Sequence, residues 1–264
     1  MRLIDIGANL THDSFDDDRA EVISRAADAG VDRMILTGAS EQGSQDALRL
    51  AREYPAAMHC TAGVHPHHAS DYDNGVQRTL ESLLGHKEVV AVGECGLDYY
   101  RNFSPPSAQR EAFQRQLELA SEYKLPVFLH QRDAHDDFVE ILEPALPQIP
   151  GGVAHCFTGD ADALGEYLEM GLYIGITGWI CDERRGAQLL DIVADIPLDR
   201  LMIETDAPYL LPRSLDPRPK SRRNEPMYLR EVLRVVADVM GQSEEVVAAA
   251  TCGNAERLFG LNAA

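Results

Sequence analysis

Paired cysteines and long apolar runs are both missing from this sequence. Its five cysteines are odd in number and scattered along 264 residues without a C-x-x-C pair, so neither a disulfide framework nor a zinc knuckle is indicated. A run of about 18 apolar residues, the length that spans a bilayer as a helix, does not occur. The first residues also lack a basic leader followed by an apolar run. We therefore expect a cytoplasmic protein from a reducing compartment that does not associate with a membrane.

Basic residues are scarce as well. Lysine and arginine number 24 against 43 aspartates and glutamates, which gives a formal net charge of −19. This balance excludes a protein that coats nucleic acid or an anionic membrane with its whole surface. Basic residues are nevertheless concentrated in the proline-rich stretch "PRSLDPRPKSRRNEP" at residues 212–226. It is either a local phosphate-binding loop or a solvated loop that balances an acidic surface.

The pattern along the chain is an alternation of short β-rich runs with longer amphipathic segments, typical of βα units around a parallel sheet. The expected strands are Leu3–Gly7, Arg33–Thr37, Met58–Ala62, Val89–Gly93, Val127–His130, Gly152–His155, Tyr173–Ile176 and Leu201–Glu204. The expected helices include Arg19–Ala29, Glu41–Glu53, Ala108–Tyr123, Asp136–Leu142, Ala187–Ala194 and Met227–Met240. Eight strands and eight helical returns predict an α/β fold of the TIM type, a (β/α)₈ barrel, with one domain over residues 1–264 that acts as a monomer.

Imidazole and carboxylate groups follow five of these strands. They are His65 and His67 in "GVHPHH", Glu94 and Asp98 in "GECGLD", His130 and Asp133 in "LHQRD", His155 in "AHCFTG", and Glu204 and Asp206 in "IETDAPYL". In a (β/α)₈ barrel the loops after the strands share one rim. A lone histidine there is usually structural, but so many buried polar groups require partners, and a shared divalent metal would supply one. The mixture suits Zn²⁺, Mn²⁺ or Mg²⁺.

Two cysteines lie beside these groups, and we expect both to belong to the core. Cys156 follows His155 directly, so strand alternation predicts that its side chain points the opposite way, into the packing of the barrel wall. Cys95 has the same relation to Glu94. Neither thiol is therefore expected in the metal site.

The motifs "GVHPH", "GECGLDY", "LHQRDA", "HCFTG" and "ETDAPYL", in this order and followed by "GNAERLFG", resemble the TatD family of metal-dependent deoxyribonucleases. The resemblance implies an amidohydrolase-like barrel that hydrolyses phosphodiester bonds with a divalent metal, often Mg²⁺. When the ligand positions of the family are transferred to the matching motifs, the implied metal ligands are Glu94, His130, His155 and Asp206. His65 is implied to lie at the rim.

Strand one departs from the pattern of many family members. They read D-x-H-x-H-L, whereas this chain reads "DIGANL" and has Gly7 and Asn9 at the two histidine positions. A second ion would then have only Glu94, Asp206 and Asn9 or water, an oxygen-rich set that favours Mg²⁺, with Mn²⁺ or Zn²⁺ as alternatives. Restoring both histidines is expected to add nitrogen ligands to the site.

Lysine is also missing from the predicted rim. The chain has three lysines, Lys87, Lys124 and Lys220, and none of them ends a strand. This excludes the carbamylated lysine that bridges two metals in some barrel hydrolases. Glu94 is therefore the expected bridge, and the dihydroorotase-like and urease-like subclasses are disfavoured.

Further roles follow from the chemistry of phosphodiester hydrolysis. Asp206 is the expected base, unless it caps a helix. Arg132 is expected to neutralise a non-bridging oxygen, or else to pair with Asp133 or Asp136. The residues expected to grip flanking phosphates are Arg222, Arg223 and Asn224. The rim aromatics that could either stack on bases or pack locally are Tyr99, Tyr100, Phe103 and Trp179, and packing is slightly favoured.

The expected function is a metal-dependent nuclease that prefers single-stranded DNA, because an enclosed rim admits a strand end more easily than a duplex. The resemblance implies an exonuclease of 3′ to 5′ polarity that also cuts RNA and acts in DNA repair or degradation. Two alternatives stay open: a metal-dependent ester hydrolase acting on aminoacyl-tRNA, and a non-catalytic metal-binding partner of another protein.

Overall fold

Eight parallel strands, hydrogen-bonded in sequence order, form the sheet of the computed structural model, which describes residues 1–261. The end of the first strand meets the segment after the eighth: Ala8 bridges Ala207, and the Asn9 amide donates to the Ala207 carbonyl at 2.8 Å. The sheet therefore closes on itself, and the predicted (β/α)₈ barrel is confirmed. The last three residues of the predicted domain 1–264 lie outside the described residues.

Strand positions agree with the expectation, and most bounds differ by one or two residues. The strands are β1 Leu3–Ala8, β2 Val31–Leu36, β3 Met58–Ala62, β4 Val89–Asp98, β5 Val127–Arg132, β6 Gly152–Ala154, β7 Tyr173–Ile176 and β8 Leu201–Ile203. The exception is β4, which continues five residues past the expected end at Gly93. A register shift between Val92 and Cys95 lets the rest of β4 pair with β5, as far as Asp98 opposite Arg132. Glu94 consequently lies within a strand.

Nine α-helices occur within the described residues. They are α1 Arg19–Asp28, α2 Glu41–Glu53, α3 Asn74–Leu84, α4 Pro106–Tyr123, α5 His135–Leu142, α6 Ala161–Glu169, α7 Ala187–Ile192, α8 Leu229–Val239 and α9 Glu244–Phe259. Polar residues cap the N-termini of several of these helices. Ser40, Asp160 and Ser243 each accept a backbone N–H from the first turn of α2, α6 and α9, respectively. None of these helices is both long and apolar enough to span a membrane.

The ninth helix, beyond the eight expected returns, covers one end of the barrel. Asn254 of α9 donates to the carbonyls of Leu198 and Leu201, where β8 begins. Apolar α9 residues, including Leu258 and Phe259, join a buried cluster with side chains of the strands. Because α9 packs where strands start, the opposite end, at the carboxyl ends of the strands, is left for loops and function.

The layer between sheet and helices contains a stacked pair of aromatic rings, Phe113 of α4 and Phe138 of α5. Their centroids lie 5.3 Å apart with an interplanar angle of 11°, and both side chains are fully buried. We expect Phe138→Ala to lower the free energy of unfolding by about 3–5 kcal/mol, because it removes apolar contacts and leaves a cavity. Urea unfolding followed by circular dichroism measures this change.

The matched control is Phe103→Ala, since Phe103 is 68% exposed. Its free energy of unfolding should stay within about 0.5 kcal/mol of the parent value. Equal effects of the two substitutions would contradict the packing described for Phe138.

Candidate metal centre

One carboxylate oxygen, Oε1 of Glu94, lies among three imidazoles at the carboxyl end of the barrel. It is 3.0 Å from Nδ1 of His130, 3.4 Å from Nε2 of His65 and 3.5 Å from Nε2 of His155. His130 belongs to β5, His155 follows β6 directly, and His65 lies in the loop after β3. The closed barrel thus brings together four residues that are far apart in the sequence, as the rim argument predicts.

The ring orientation of His155 is set by Glu204, a residue at the end of β8 to which the sequence analysis gave no role. Oε2 of Glu204 lies 2.6 Å from Nδ1 of His155, and Oε1 accepts the backbone N–H of Cys156 at 2.6 Å. Nδ1–H therefore donates to Glu204, and Nε2, which faces Glu94, is the nitrogen that can bind a metal. The position of Glu204 at a strand end was the only sequence signal for this role.

His130 and His65 differ in how their nitrogens are placed. Nε2 of His130 lies 3.4 Å from Oδ2 of Asp98 without a hydrogen bond, and that oxygen contacts Nε2 of His67 at 2.8 Å. Nδ1 of His130, 3.0 Å from Oε1 of Glu94, is the nitrogen placed to bind a metal beside that carboxylate. In His65, Nδ1 accepts the backbone N–H of His67 at 3.1 Å. Neutral His65 therefore carries its hydrogen on Nε2 and presents an N–H, not a lone pair, to Glu94.

Asp206 completes the set from the loop after β8. Its Oδ1 accepts Nδ2–H of Asn9 at 3.0 Å, and its backbone adopts a left-handed conformation with φ of 55°. The alternative of a helix cap is wrong, because the next α-helix begins only at Leu229. Asp206 and Asn9 both line the cavity at this end of the barrel.

The cavity has a volume of about 560 Å³ and is lined by the four predicted metal ligands together with His65 and Arg132. Two groups of side chains have ligand atoms within 4.8 Å of one another: His65, Glu94 and His130, and His155, Cys156 and Asp206. Glu94, only 3.5 Å from His155, lies between the groups. Carboxylate and imidazole donors converging in this way fit a divalent metal.

The expectation that Cys156 belongs to the core is wrong. β6 ends at Ala154, so strand alternation does not extend to Cys156, whose φ of 47° turns the chain and whose side chain lines the cavity. Its Sγ lies 3.5 Å from Oγ1 of Thr177. Cys95, in contrast, is fully buried within β4, as expected.

Gly7 explains the departure of strand one from the H-x-H pattern. A Cβ atom built on Gly7 would collide with the Glu204 carboxylate, and it would lie 3.2 Å from Cζ of Phe128 and 3.4 Å from Nδ1 of His155. Strand one therefore faces the site, but Glu204 fills the space that a side chain at position 7 needs. The addition of ligands by histidines at positions 7 and 9 stays a prediction, and at position 7 it requires the Glu204 carboxylate to move.

Protons compete with a cation for the side chains of this site. Burial lowers the pKa of His155, but the adjacent Glu204 carboxylate outweighs it and raises this pKa to about 10. Burial raises the pKa of Asp206 to about 7 and lowers that of His65 to about 3. Burial alone would raise the pKa of Glu94, but the neighbouring histidines hold this pKa well below its usual range. At neutral pH a proton therefore occupies His155.

Arginine and aromatic side chains surround the cavity mouth. Cζ of Arg132 lies 3.9 Å from the ring centroid of Tyr100 and 6.0 Å from that of Trp179, and no ion pair joins Arg132 to Asp133 or Asp136 within residues 1–261. Tyr100 and Phe103 are exposed by 57% and 68%, and the Phe103 ring also contacts that of His67, with centroids 4.7 Å apart. Packing does account for Tyr99, whose hydroxyl donates to Asp137 at 2.6 Å.

Two of the three residues expected to grip phosphates do not fit that role. Arg223 is engaged by Asp18 at 2.7 Å and Glu225 at 2.9 Å. Asn224 is fully buried and donates from Nδ2 to the carbonyl of Thr205 at 3.0 Å. Both side chains stabilise the loop. Arg222 is exposed, but it lines a cavity other than the one with the metal-ligand candidates.

We expect Gly7→Ala to weaken Mn²⁺ binding about 10–100-fold, because Glu204 must move and can no longer orient His155. The matched control is Gly165→Ala, a helical position where a Cβ atom meets nothing within 4 Å. Calorimetric titration of both variants measures the affinity. Equal Mn²⁺ affinity of Gly7→Ala and the parent would contradict the contact between Gly7 and Glu204.

A second prediction concerns pH. Because His155 has a pKa of about 10 and Asp206 a pKa of about 7, a metal that binds at neutral pH must displace the proton on Nε2 of His155 and finds Asp206 only partly ionised. Metal affinity should therefore rise from about pH 6 towards about pH 10, with release of about one proton per ion or more at pH 7. Calorimetry in buffers of different ionisation enthalpy measures the proton release, and a pH-independent affinity would contradict these protonation states.

Comparison with known proteins agrees with this geometry. The family described as TatD related DNase matches residues 4–260. A protein of Citrobacter rodentium named 3′-5′ ssDNA/RNA exonuclease TatD is 52% identical over 261 residues, covering 98% of each chain. A protein of the same name from Erwinia billingiae is also 52% identical, over 99% of this chain and all of its own.

A solved structure has the same fold. The crystal structure of YJJV, a TatD homologue from Escherichia coli, superposes with a TM-score of 0.90 at 29% identity and covers 99% of both chains. The family prediction made from the motifs is thereby confirmed, and with it the nuclease class of enzyme. With a family match over almost its whole length and relatives half identical in sequence, the chain belongs to the family of TatD-related DNases.

Proposed function

We propose that this protein is a metal-dependent 3′-5′ exonuclease that hydrolyses single-stranded DNA and RNA. The observation that carries the proposal is the position of Glu94 between His130 and His155, whose Nδ1 and Nε2 atoms respectively are oriented to bind a metal. The names of the relatives at 52% identity support the polarity and the substrate.

The metal would be held by Glu94, His130, His155 and Asp206. We propose Mg²⁺ as the ion, because two carboxylates and the Asn9 amide offer oxygen donors and leave positions for water. Two imidazoles and the nearby Cys156 thiol are donors that later metals accept, so Mn²⁺ and Zn²⁺ are the alternatives. When bound, the ion lowers the pKa of a water molecule and polarises the phosphoryl oxygens.

Side chains of the site then accept the proton, position Glu94 and neutralise charge on the phosphate. Asp206, with one oxygen fixed by Asn9, accepts the proton of the attacking water through the carboxylate. His65 donates its Nε2–H towards Glu94 and keeps that carboxylate in place. Arg132 has its guanidinium at the cavity wall and neutralises charge on a non-bridging phosphoryl oxygen.

The preference for single strands rests on exposed or partly exposed aromatic rings around the cavity. Phe103, Trp179 and Tyr209 line the cavity itself, and Tyr100 stacks on Arg132 beside it. Unpaired bases stack on such rings without regard to sequence, whereas paired bases are covered by their own neighbours. This arrangement supports a substrate whose end is single-stranded.

All of these groups come from one chain, which supports an enzyme that works as a monomer with a single domain. All five cysteines are free, which is consistent with a reducing cytoplasm. An ester hydrolase acting on aminoacyl-tRNA would use the same metal ligands, so the substrate assay must include both kinds of molecule.

We expect Glu94→Ala, His130→Ala and His155→Ala each to lower nuclease turnover at least about 10³-fold, because each removes a ligand from one ion. The matched control is His86→Ala, a half-buried histidine that contacts Arg52 and does not line the cavity. Folding of every variant is checked by circular dichroism. Near-normal turnover by two of the three variants would overturn the ligand assignment.

The substrate is tested with 5′-labelled single-stranded DNA and RNA, duplex DNA and aminoacyl-tRNA, each with Mg²⁺ or EDTA. A ladder shortened from the 3′ end of single strands, abolished by EDTA, is the expected result. Release of amino acid from tRNA without cleavage of DNA or RNA would establish the ester hydrolase instead.

A further inference from the structure

Trp179 stands where three cavities meet. It lines the cavity of the metal centre and also two neighbouring cavities of about 540 Å³ and 340 Å³. A nucleic acid strand whose 3′ end occupies the metal centre must continue past this residue on its 5′ side. The chemistry of the two neighbours indicates which of them receives the strand.

The larger neighbour, called here the acidic cavity, is poorly suited to phosphates. Its carboxylates, Asp133, Asp160, Asp162 and Glu166, outnumber its two arginines, Arg132 and Arg185. His135 also lines it, but Nε2 of His135 is engaged by Glu166 at 2.6 Å. A phosphodiester backbone would meet net negative charge here.

The smaller neighbour, called here the arginine cavity, has the opposite character. Its charged lining consists of one carboxylate, Asp182, and five arginines: Arg184, Arg185, Arg213, Arg218 and Arg222. In a chain with a net charge of −19 this is an exceptional concentration of positive charge. The cavity is formed by the loops after β7 and β8, at the same end of the barrel as the metal centre.

The five arginines fall into two sets. Arg184, Arg185 and Arg213 are tied to Asp182 and Glu183; for example, Arg184 and Arg185 each lie 3.1 Å from Oδ2 of Asp182. Asp182 is buried, and hydrogen bonds from these arginines hold its pKa well below the usual range. This set forms a fixed scaffold at the wall of the cavity.

Arg218 and Arg222 form the second set. Both are exposed, and neither has an ion pair within the described residues. They lie in the loop with Pro217 and Pro219, whose rings restrict the backbone. Two guanidinium groups without ion pairs, on a stiff loop that faces a cavity, can bind successive phosphates with little loss of conformational entropy.

We infer that the strand on the 5′ side of the scissile phosphate passes Trp179 and places its phosphates in the arginine cavity, where Arg218 and Arg222 bind them. Cζ of Arg185 lies 4.5 Å from the Trp179 ring centroid, so positive charge continues from the junction into the cavity. This inference rests on the proposed exonuclease function, and it gives that function a path for the substrate. Contacts along this path contribute binding energy only for substrates long enough to reach the arginine cavity.

The test compares oligothymidylates of increasing length. Binding to the parent is measured by fluorescence anisotropy in EDTA, which prevents cleavage, and affinity should rise with length. In the Arg218→Gln, Arg222→Gln variant, affinity for a 12-mer should fall about tenfold or more, and the slope of log K against log salt should decrease by about 1.4, the value for two phosphate contacts on a single strand. Turnover of a dinucleotide with Mg²⁺ should be unchanged.

The control variant, Arg49→Gln with Arg78→Gln, changes the net charge equally on helices α2 and α3. It should keep the length dependence and the salt slope of the parent. A second comparison, His135→Ala with Gln188→Ala, alters the acidic cavity. Loss of length dependence in that variant and not in the arginine variant would overturn the inference, as would equal effects of the two arginine pairs.

These outcomes are distinct from failure of the proposed function. If the parent cleaves no single strand with any divalent metal, the function itself is wrong, and the inference falls with it. If the parent cleaves single strands from the 3′ end while the arginine variant binds the 12-mer as the parent does, only the path is wrong.

Discussion

Negative charge buried at one end of the barrel is the constraint on which the rest of the site depends. Glu94, Glu204 and Asp206 lie close together in a place where burial penalises ionised carboxylates. A proton on His155, which lies between Glu94 and Glu204, offsets part of this charge. A divalent ion can take the place of that proton, and the open cavity above the carboxylates leaves room for an anionic substrate to approach it.

The fold supplies the geometry for this charge through strand closure. The Asp206 amide donates to the Gly7 carbonyl at 2.8 Å, so the hydrogen bonds that close the barrel also position the last ligand. The absence of a side chain at Gly7 leaves space for Glu204, and Glu204 in turn orients His155. The glycine at position 7 and the buried glutamate that follows β8 therefore fit one another.

Much of this could be predicted from the sequence, because short apolar, β-rich runs mark the strands and chemically reactive residues follow them. Local patterns could not predict what depends on partners distant in sequence. The extension of β4 depends on pairing with β5, and the position of Cys156 at the cavity depends on where β6 stops. Arg223 and Asn224 belong to a basic run, yet their contacts with Asp18 and Thr205 are made across the fold. Charge patterns identify a surface but not which members of it are already paired.

The account is tested most directly by the anomalous scattering of Zn²⁺ soaked into crystals of the protein. It predicts a peak at about 2.0–2.2 Å from Nδ1 of His130, Nε2 of His155 and a carboxylate oxygen of Glu94, with His65 outside the coordination sphere. A peak bound to Nε2 of His65 and distant from His155, or no peak at these residues, would contradict the division of the histidines into metal ligands and a hydrogen-bond donor.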